Sequence, residues 1–261
     1  MPELVEVDRY RELAAARALG RPVEAVEACD LSYLRRGADI MGLREVLVGG
    51  QFVEARRKGK LLLLDVSHGA VLGVHFGMSG RLVVDGVAAV DQLLYSPRGQ
   101  DIRYQRFAVR FVDGGSLTVH DPRRLGGVEL NPDQTRLGTD ALTITLVELR
   151  AVLGTSPTPL KARLLDQARL AGVGNLIADE ILWRAGLAPG RPVAGLSDAA
   201  VRRLHRHLGQ GLADLFERGG SHTGDLMPER RIGGRCPRDG TPLSRAVVGG
   251  RTTWWCPRHQ R

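Results

Sequence analysis

Apolar positions recur at helical spacing over residues 3–19, where Leu4, Val7, Ala14 and Ala18 fall near one face and Gly20 supplies a stop. The period then shortens. Runs at Val23–Ala28, 51–57, 60–66, 70–76, Arg81–Val84, 106–111 and Ser116–His120 are short, turn-bounded and rich in Val and Leu. That pattern predicts an antiparallel β-sandwich. Residues 131–139 carry Pro132, Asp133, Gly138 and Thr139 and read as a connection between domains. Beyond them the helical period returns. Leu146–Leu153 is predicted as a helix, with Thr145 and Glu148 at capping-box spacing and Gly154 and Pro157 after it. A second helix covers 160–169 and carries Lys161, Leu164 and Leu165; a tight Gly172-x-Gly174 turn follows. Asn175 reads as the cap of a helix that runs to Ala185 and stops at Gly186, and 201–216 forms a further amphipathic helix.

Composition narrows the class. The chain of 261 residues holds one large domain or two ordinary ones. No apolar run approaches the ~20 residues of a membrane span, and Glu3, Glu6 and Asp8 stand where a signal peptide needs basic and then apolar residues. Three cysteines fit a reducing compartment, so a cytoplasmic, nucleoid-associated protein is expected. The net charge of +8, dominated by arginine, suits a polyanionic partner, although RNA-binding proteins share that balance.

The candidate chemistry begins at Pro2-Glu3. Removal of Met1 would leave a secondary amine beside a carboxylic acid. A terminal amine of pKa ~7.7–8 is about one-tenth neutral at pH 7, against a few parts in ten thousand for a lysine at ~10.4. It is the readier nucleophile toward an electrophilic carbon, although many chains begin this way without chemical reason. Three turns present further groups: Lys58-Gly59-Lys60, the Gly77-Met78-Ser79-Gly80 turn, and Asp121-Pro122-Arg123-Arg124-Leu125-Gly126. Each is ambiguous alone. The lysine is a phosphate contact or a solvated tip, Met78 a wedge or core, and the last turn has the chemistry of a wedge entering a base stack. Amides at the Gly172-x-Gly174 turn and the following helix start form a candidate phosphate site, while Asp179 and Glu180 read as structural. The glycine-rich stretch 218–225 suits a lid or a bland loop. His205 and His207 read as surface groups rather than metal ligands. Finally, Cys236-x2-Asp239, sixteen residues, then Cys256-x2-His259 outlines a two-knuckle zinc hairpin, with Arg251 at its tip.

Taken together, these residues resemble the formamidopyrimidine-DNA glycosylase/endonuclease VIII family of base-excision repair enzymes. The resemblance is carried in order by Pro2-Glu3-Leu4 and Glu6, Arg57-x-Gly59-Lys60, Gly77-Met78-Ser79-Gly80 and Asp121-Pro122-Arg123-Arg124-x-Gly126. It continues through Leu164-Leu165-Asp166-Gln167, Gly172-x-Gly174-Asn175-x-x-Ala178-Asp179-Glu180, and Gly250-Arg251-Thr252 before Cys256-Pro257. It implies a two-lobed α+β fold: an antiparallel β-sandwich with a catalytic N-terminal helix (1–132), a helix-two-turn-helix lobe (133–228) and a zinc-finger β-hairpin (229–261). It also implies a monomer, with damaged double-stranded DNA in a cleft. By the same resemblance, Pro2 attacks C1′ of a flipped nucleotide as a Schiff-base nucleophile, Glu3 protonates the deoxyribose ring oxygen and shuttles protons, and Glu6 positions the terminus. Lys60, counted with Pro2 and Glu3 as catalytic, also holds phosphate, as do Lys161, Arg124, Asn175 and Arg251, and Met78, Arg123 and Leu125 fill the vacated space. β,δ-Elimination then cuts the strand, while one structural Zn2+ sits on Cys236, Asp239, Cys256 and His259.

Three departures from the family pattern stand out. Val5 replaces a proline, Leu125 an aromatic wedge, and Asp239 with His259 two of four cysteines. A catalytically weak damage-binding protein of the same fold is therefore the alternative expectation.

Overall fold

The computed structural model describes residues 2–90, 92–94 and 101–261. Met1, whose removal the terminal chemistry requires, lies outside them. The chain forms two compact units. One comprises Pro2 with Glu6–Gln134, the other Glu3–Val5 with Thr135–Arg261.

The first unit holds most of helix α1 (Leu4–Arg17), strand β1 (Val23–Ala28), helix α2 (Ile40–Leu47) and eight further strands. These are β2 (Phe52–Lys58), β3 (Leu61–Val66), β4 (Val71–His75), β5 (Arg81–Val84), β6 (Val87–Ala88), β7 (Gln105–Phe111), β8 (Ser116–His120) and β9 (Gly127–Leu130). They make two antiparallel sheets, ordered β1-β7-β8-β5-β6 and β2-β3-β4-β9, as the sandwich reading expects. Aliphatic residues of both sheets, with Phe52, Phe76, Phe107 and Phe111, form one apolar core. Val7, Tyr10, Leu13, Ala14 and Ala18 of α1 join it.

Helix α1 differs from the single apolar face expected of it. Leu4 and Val5 are fully buried in the core of the second unit, whereas Val7 onward belongs to the first. Glu6 and Asp8 are buried as well. A helix enclosed on several sides shows no clean stripe. Helix α2 was not anticipated, although Asp39 caps it by accepting from the Gly42 amide (2.8 Å), and Leu43 and Leu47 face the core. Strands β6 and β9 were also missed; β9 completes the four-stranded sheet against β4.

The second unit contains β10 (Thr139–Asp140), α3 (Leu146–Leu153), α4 (Leu160–Leu165), β11 (Leu170–Ala171), α5 (Asn175–Ala185), α6 (Asp198–Glu217) and a hairpin of β12 (Ser244–Val248) and β13 (Arg251–Trp255). The Thr145–Glu148 capping box at the start of α3 forms as expected. Helix α4 is shorter than the 160–169 pattern suggests. It stops at Leu165, and Leu170 and Ala171 pair in parallel with β10 instead. Helix α6 starts before the expected 201, where Ser197 accepts from the Ala200 amide (3.3 Å). Leu204, Leu208, Leu212 and Leu215 then turn one face of α6 into the core. No helix among the described residues is long and apolar enough to cross a membrane.

Candidate active site

The start of α5 is built around the chain's third residue. Glu3 is fully buried, and its carboxylate accepts from the amides of Gly174 (3.0 Å), Leu176 (2.9 Å) and Ile177 (3.1 Å). Those donors lie at the positive end of the helix, where an anion is favoured. Gly174 occupies the N-cap position and Asn175 is the first helical residue, which corrects the reading of Asn175 as the cap. A carboxylate 171 residues away in sequence does the capping. The same bonds correct the phosphate-site reading of this turn: at least these three amides already hold an anion.

Both glycines of the turn make room for the chain terminus. A Cβ on Gly174 would overlap the Glu3 carboxyl group, and one on Gly172, at φ +109°, would overlap Leu4. The Leu4 amide in turn donates to the Gly172 carbonyl (3.2 Å). Gln167 clasps this turn from within, its Oε1 accepting from the Gly172 amide (3.0 Å) and its Nε2 donating to the Val173 carbonyl (2.8 Å). Sequence reasoning quoted Gln167 but gave it no task; its adjacency to a glycine turn was the available signal. Pro2 is buried, as is Glu6.

The other phosphate candidates of this unit meet at β13. Asn175 donates through Nδ2 to the Thr252 carbonyl (3.2 Å), and its buried Oδ1 has no hydrogen-bond partner among the described residues. Lys161 is fully buried rather than presented as a phosphate contact. Its ammonium lies 2.6 Å from Asp179 Oδ1 and donates to Thr253 Oγ1 (2.7 Å). Burial pulls the Lys161 pKa down, and the Asp179 charge opposes that shift. Asp179 also accepts from Arg230 through Nη2 (2.8 Å), so one buried carboxylate joins α4, α5 and the segment before the hairpin. Arg251, beside Thr252, is exposed. Glu180 accepts from Arg184 (2.7 Å) and from the amides of Asp225 (3.1 Å) and Leu226 (2.9 Å). With a 3-10 turn at Ser221–Thr223, this gives the 218–225 stretch a defined conformation that its glycines alone did not suggest.

In the first unit, two of the candidate turns are fastened together. The Ser79 hydroxyl donates to the buried Asp121 carboxylate. Asp121 also accepts from the amides of Arg123 (3.2 Å) and Gly126 (2.8 Å). Gly77 is at φ +56°, and a Cβ there would overlap the backbone of Leu125 and Gly126. Met78, partly buried, is thus carried on a turn fixed against the one bearing Arg123, Arg124 and Leu125, all three exposed. Arg124 adopts φ +56° and pairs with Asp30 at 3.2 Å. Lys60 lies half-buried where β2 turns into β3, and Arg57 beside it donates to the Gly59 carbonyl (2.9 Å).

Cys236, Asp239, Cys256 and His259 come together in the tail, with one ligand atom from each all within 4.8 Å of one another. The Thr241 amide leads in holding the Asp239 carboxyl well below the usual carboxylate range, while burial pushes the Cys256 thiol up. His259 Nε2 lies 3.2 Å from the Trp183 carbonyl. A carbonyl only accepts, so Nε2 carries the proton, and in the neutral ring Nδ1 keeps a lone pair. Nδ1 lies 3.6 Å from Cys236 Sγ and 3.5 Å from Asp239 Oδ2. Two thiols, an imidazole and a carboxylate arranged this way fit a tetrahedral divalent metal.

Residues 1–128 match the formamidopyrimidine-DNA glycosylase N-terminal domain, and residues 137–226 match the H2TH domain of the same enzymes. A formamidopyrimidine-DNA glycosylase of Salinispora arenicola is 34% identical over 287 residues, covering 100% of this chain and 96% of the relative. That of Thermus thermophilus is 34% identical over 98% of this chain and 97% of its own length. Among solved structures, the Lactococcus lactis enzyme in complex with DNA containing an abasic site superposes with a TM-score of 0.83 at 25% identity, covering both chains fully. The complex of that enzyme with N7-benzyl-Fapy-dG DNA gives 0.83 at 26%. With both domains matched in order and full-length relatives at 34% identity, the chain belongs to the formamidopyrimidine-DNA glycosylase family of base-excision repair enzymes.

Proposed function

We propose that the protein is a bifunctional DNA glycosylase/AP lyase acting on damaged double-stranded DNA. Pro2, freed of Met1, attacks C1′ of an everted nucleotide while Glu3 protonates the deoxyribose ring oxygen. Loss of the base leaves an iminium whose α-hydrogens are acidic, and β- and then δ-elimination breaks the strand. The carrying observation is Glu3 itself: the acid adjacent to Pro2 is fixed by three backbone amides. Such preorganisation is expected of a group that must meet one atom of the substrate.

Lys60, Arg124, Asn175 and Arg251 are assigned to phosphates, with Glu6 steadying the terminus. Lys161, locked on Asp179, braces β13 through Thr253 instead of touching DNA. Met78, Arg123 and Leu125 occupy the space of the everted base. One zinc on Cys236, Asp239, Cys256 and His259 would cross-link the knuckles of the hairpin at 229–261 and take no part in bond breaking.

Borohydride reduction in the presence of abasic or oxidised duplex should yield a covalent protein–DNA adduct. Pro2→Gly, and protein retaining Met1, should give little. No adduct with any member of a broad lesion panel would overturn the assignment.

A further inference from the structure

The metal cluster has a neighbour that the four-ligand description leaves out. Trp183, in the last turns of α5, is 6% exposed, and its indole N–H points at Cys236 Sγ at 3.4 Å. An indole N–H can only donate, and a buried one needs an acceptor. A thiol sulfur is a weak acceptor, whereas a metal-bound thiolate carries charge and is a stronger one. The backbone carbonyl of the same residue takes the Nε2 proton of His259. One residue therefore contacts one ligand from each knuckle, through two different groups. The indole is itself clamped: Arg238, between Cys236 and Asp239, lies over its ring at 5.0 Å. A phenylalanine would fill the same apolar space without serving the sulfur.

We infer that Trp183 is a positioning residue for the metal centre, holding the Cys236 thiolate by its indole N–H and the His259 ring by its carbonyl. This rests on the proposal that the cluster binds a metal. With only two thiolates in the ligand set, orientation and charge at each sulfur weigh more than in an all-cysteine site. Hydrogen bonds to metal ligands typically contribute 10–100-fold in affinity.

The full-length chain, stripped by a chelator, is titrated with Co2+. Wild-type protein should develop tetrahedral d–d bands and a thiolate-to-cobalt charge-transfer band. Absence of these bands would remove the metal proposal and this inference together. Trp183→Phe keeps the carbonyl and loses the donor. It should bind Co2+ about tenfold more weakly, with its charge-transfer band at lower energy because the sulfur is no longer stabilised. Wild-type-like affinity and band position in Trp183→Phe would overturn the inference while leaving the metal site standing.

Should Trp183→Phe fail to fold, the wild-type protein loaded with 113Cd2+ decides. One of the three tryptophan indole protons should show coupling to cadmium through the N–H···S bond, and three uncoupled indole protons would overturn the inference.

Discussion

Gly174→Ala is a sharp test of how Glu3 is held. The backbone of Gly174, at φ −115° and ψ −166°, is open to any residue, so alanine brings no torsional strain. What it brings is a methyl group on top of the Glu3 carboxyl. The carboxyl is fully buried with its oxygens on three amides, so relief means moving it by roughly an ångström. A misplacement of ~1 Å at a catalytic group costs on the order of 100-fold, or about 2.7 kcal/mol of barrier. Single-turnover excision from an oxidised-base duplex should slow by about that factor. Borohydride trapping on abasic duplex, which needs the Pro2 amine but no base loss, should fall much less. A double-mutant cycle isolates the cause: in a Glu3→Ala background the Gly174→Ala penalty should vanish. Wild-type excision by Gly174→Ala, or an undiminished penalty without Glu3, would refute the reasoning.

Asp121→Asn leaves one acceptor oxygen where Ser79, Arg123 and Gly126 now share a carboxylate. It should destabilise the first unit by about 1.5–3 kcal/mol, read as an earlier denaturant midpoint, and an unmoved midpoint would contradict the fastening described. Glu148 has its pKa lowered by the Thr145 amide and hydroxyl, so its contribution to α3 is complete above its ordinary pKa near 4.5 and is lost as pH falls through the lower folded value. Hydrogen exchange in α3 should accelerate over that acidic window in the wild type and show no such step in Glu148→Gln. Metal analysis should find about one zinc per chain; Cys236→Ser should lose it and weaken DNA binding while the melting of the β-sandwich stays put. A metal-free protein with full activity would refute the metal assignment.

The sandwich was legible because its strands are short Val- and Leu-rich runs set between turn residues, and that signal is local. Helix α2 has a local signal too: Asp39 before Ile40, with Leu43 and Leu47 in phase, is a capped amphipathic pattern eight residues long. Helix α4 was overextended because nothing between Leu165 and Leu170 forbids a helix; the pairing of Leu170–Ala171 with Thr139–Asp140 decides it. The motif Gly172-x-Gly174-Asn175 marked the right place for a partly wrong reason. A glycine turn followed by asparagine is a sound local sign of a helix start, yet the occupant of those amides comes from the other end of the chain. The exposure of Arg251 fits a sequence reading of charge alone. The burial of Lys161 does not, because its partner Asp179 becomes a neighbour only once α4 and α5 pack.

The bond between residue 3 and the start of α5 also bears on how the molecule is made. Ribosomes add roughly 5–20 residues per second, so Glu3 is synthesised roughly 10–30 s before the amides that will hold it. Throughout that interval its carboxylate is solvated and mobile, and nascent chains released early lack the clasp entirely. Incomplete products are thereby expected to carry Glu3 without the amides that hold it, because the start of α5 is made only after about two-thirds of the chain.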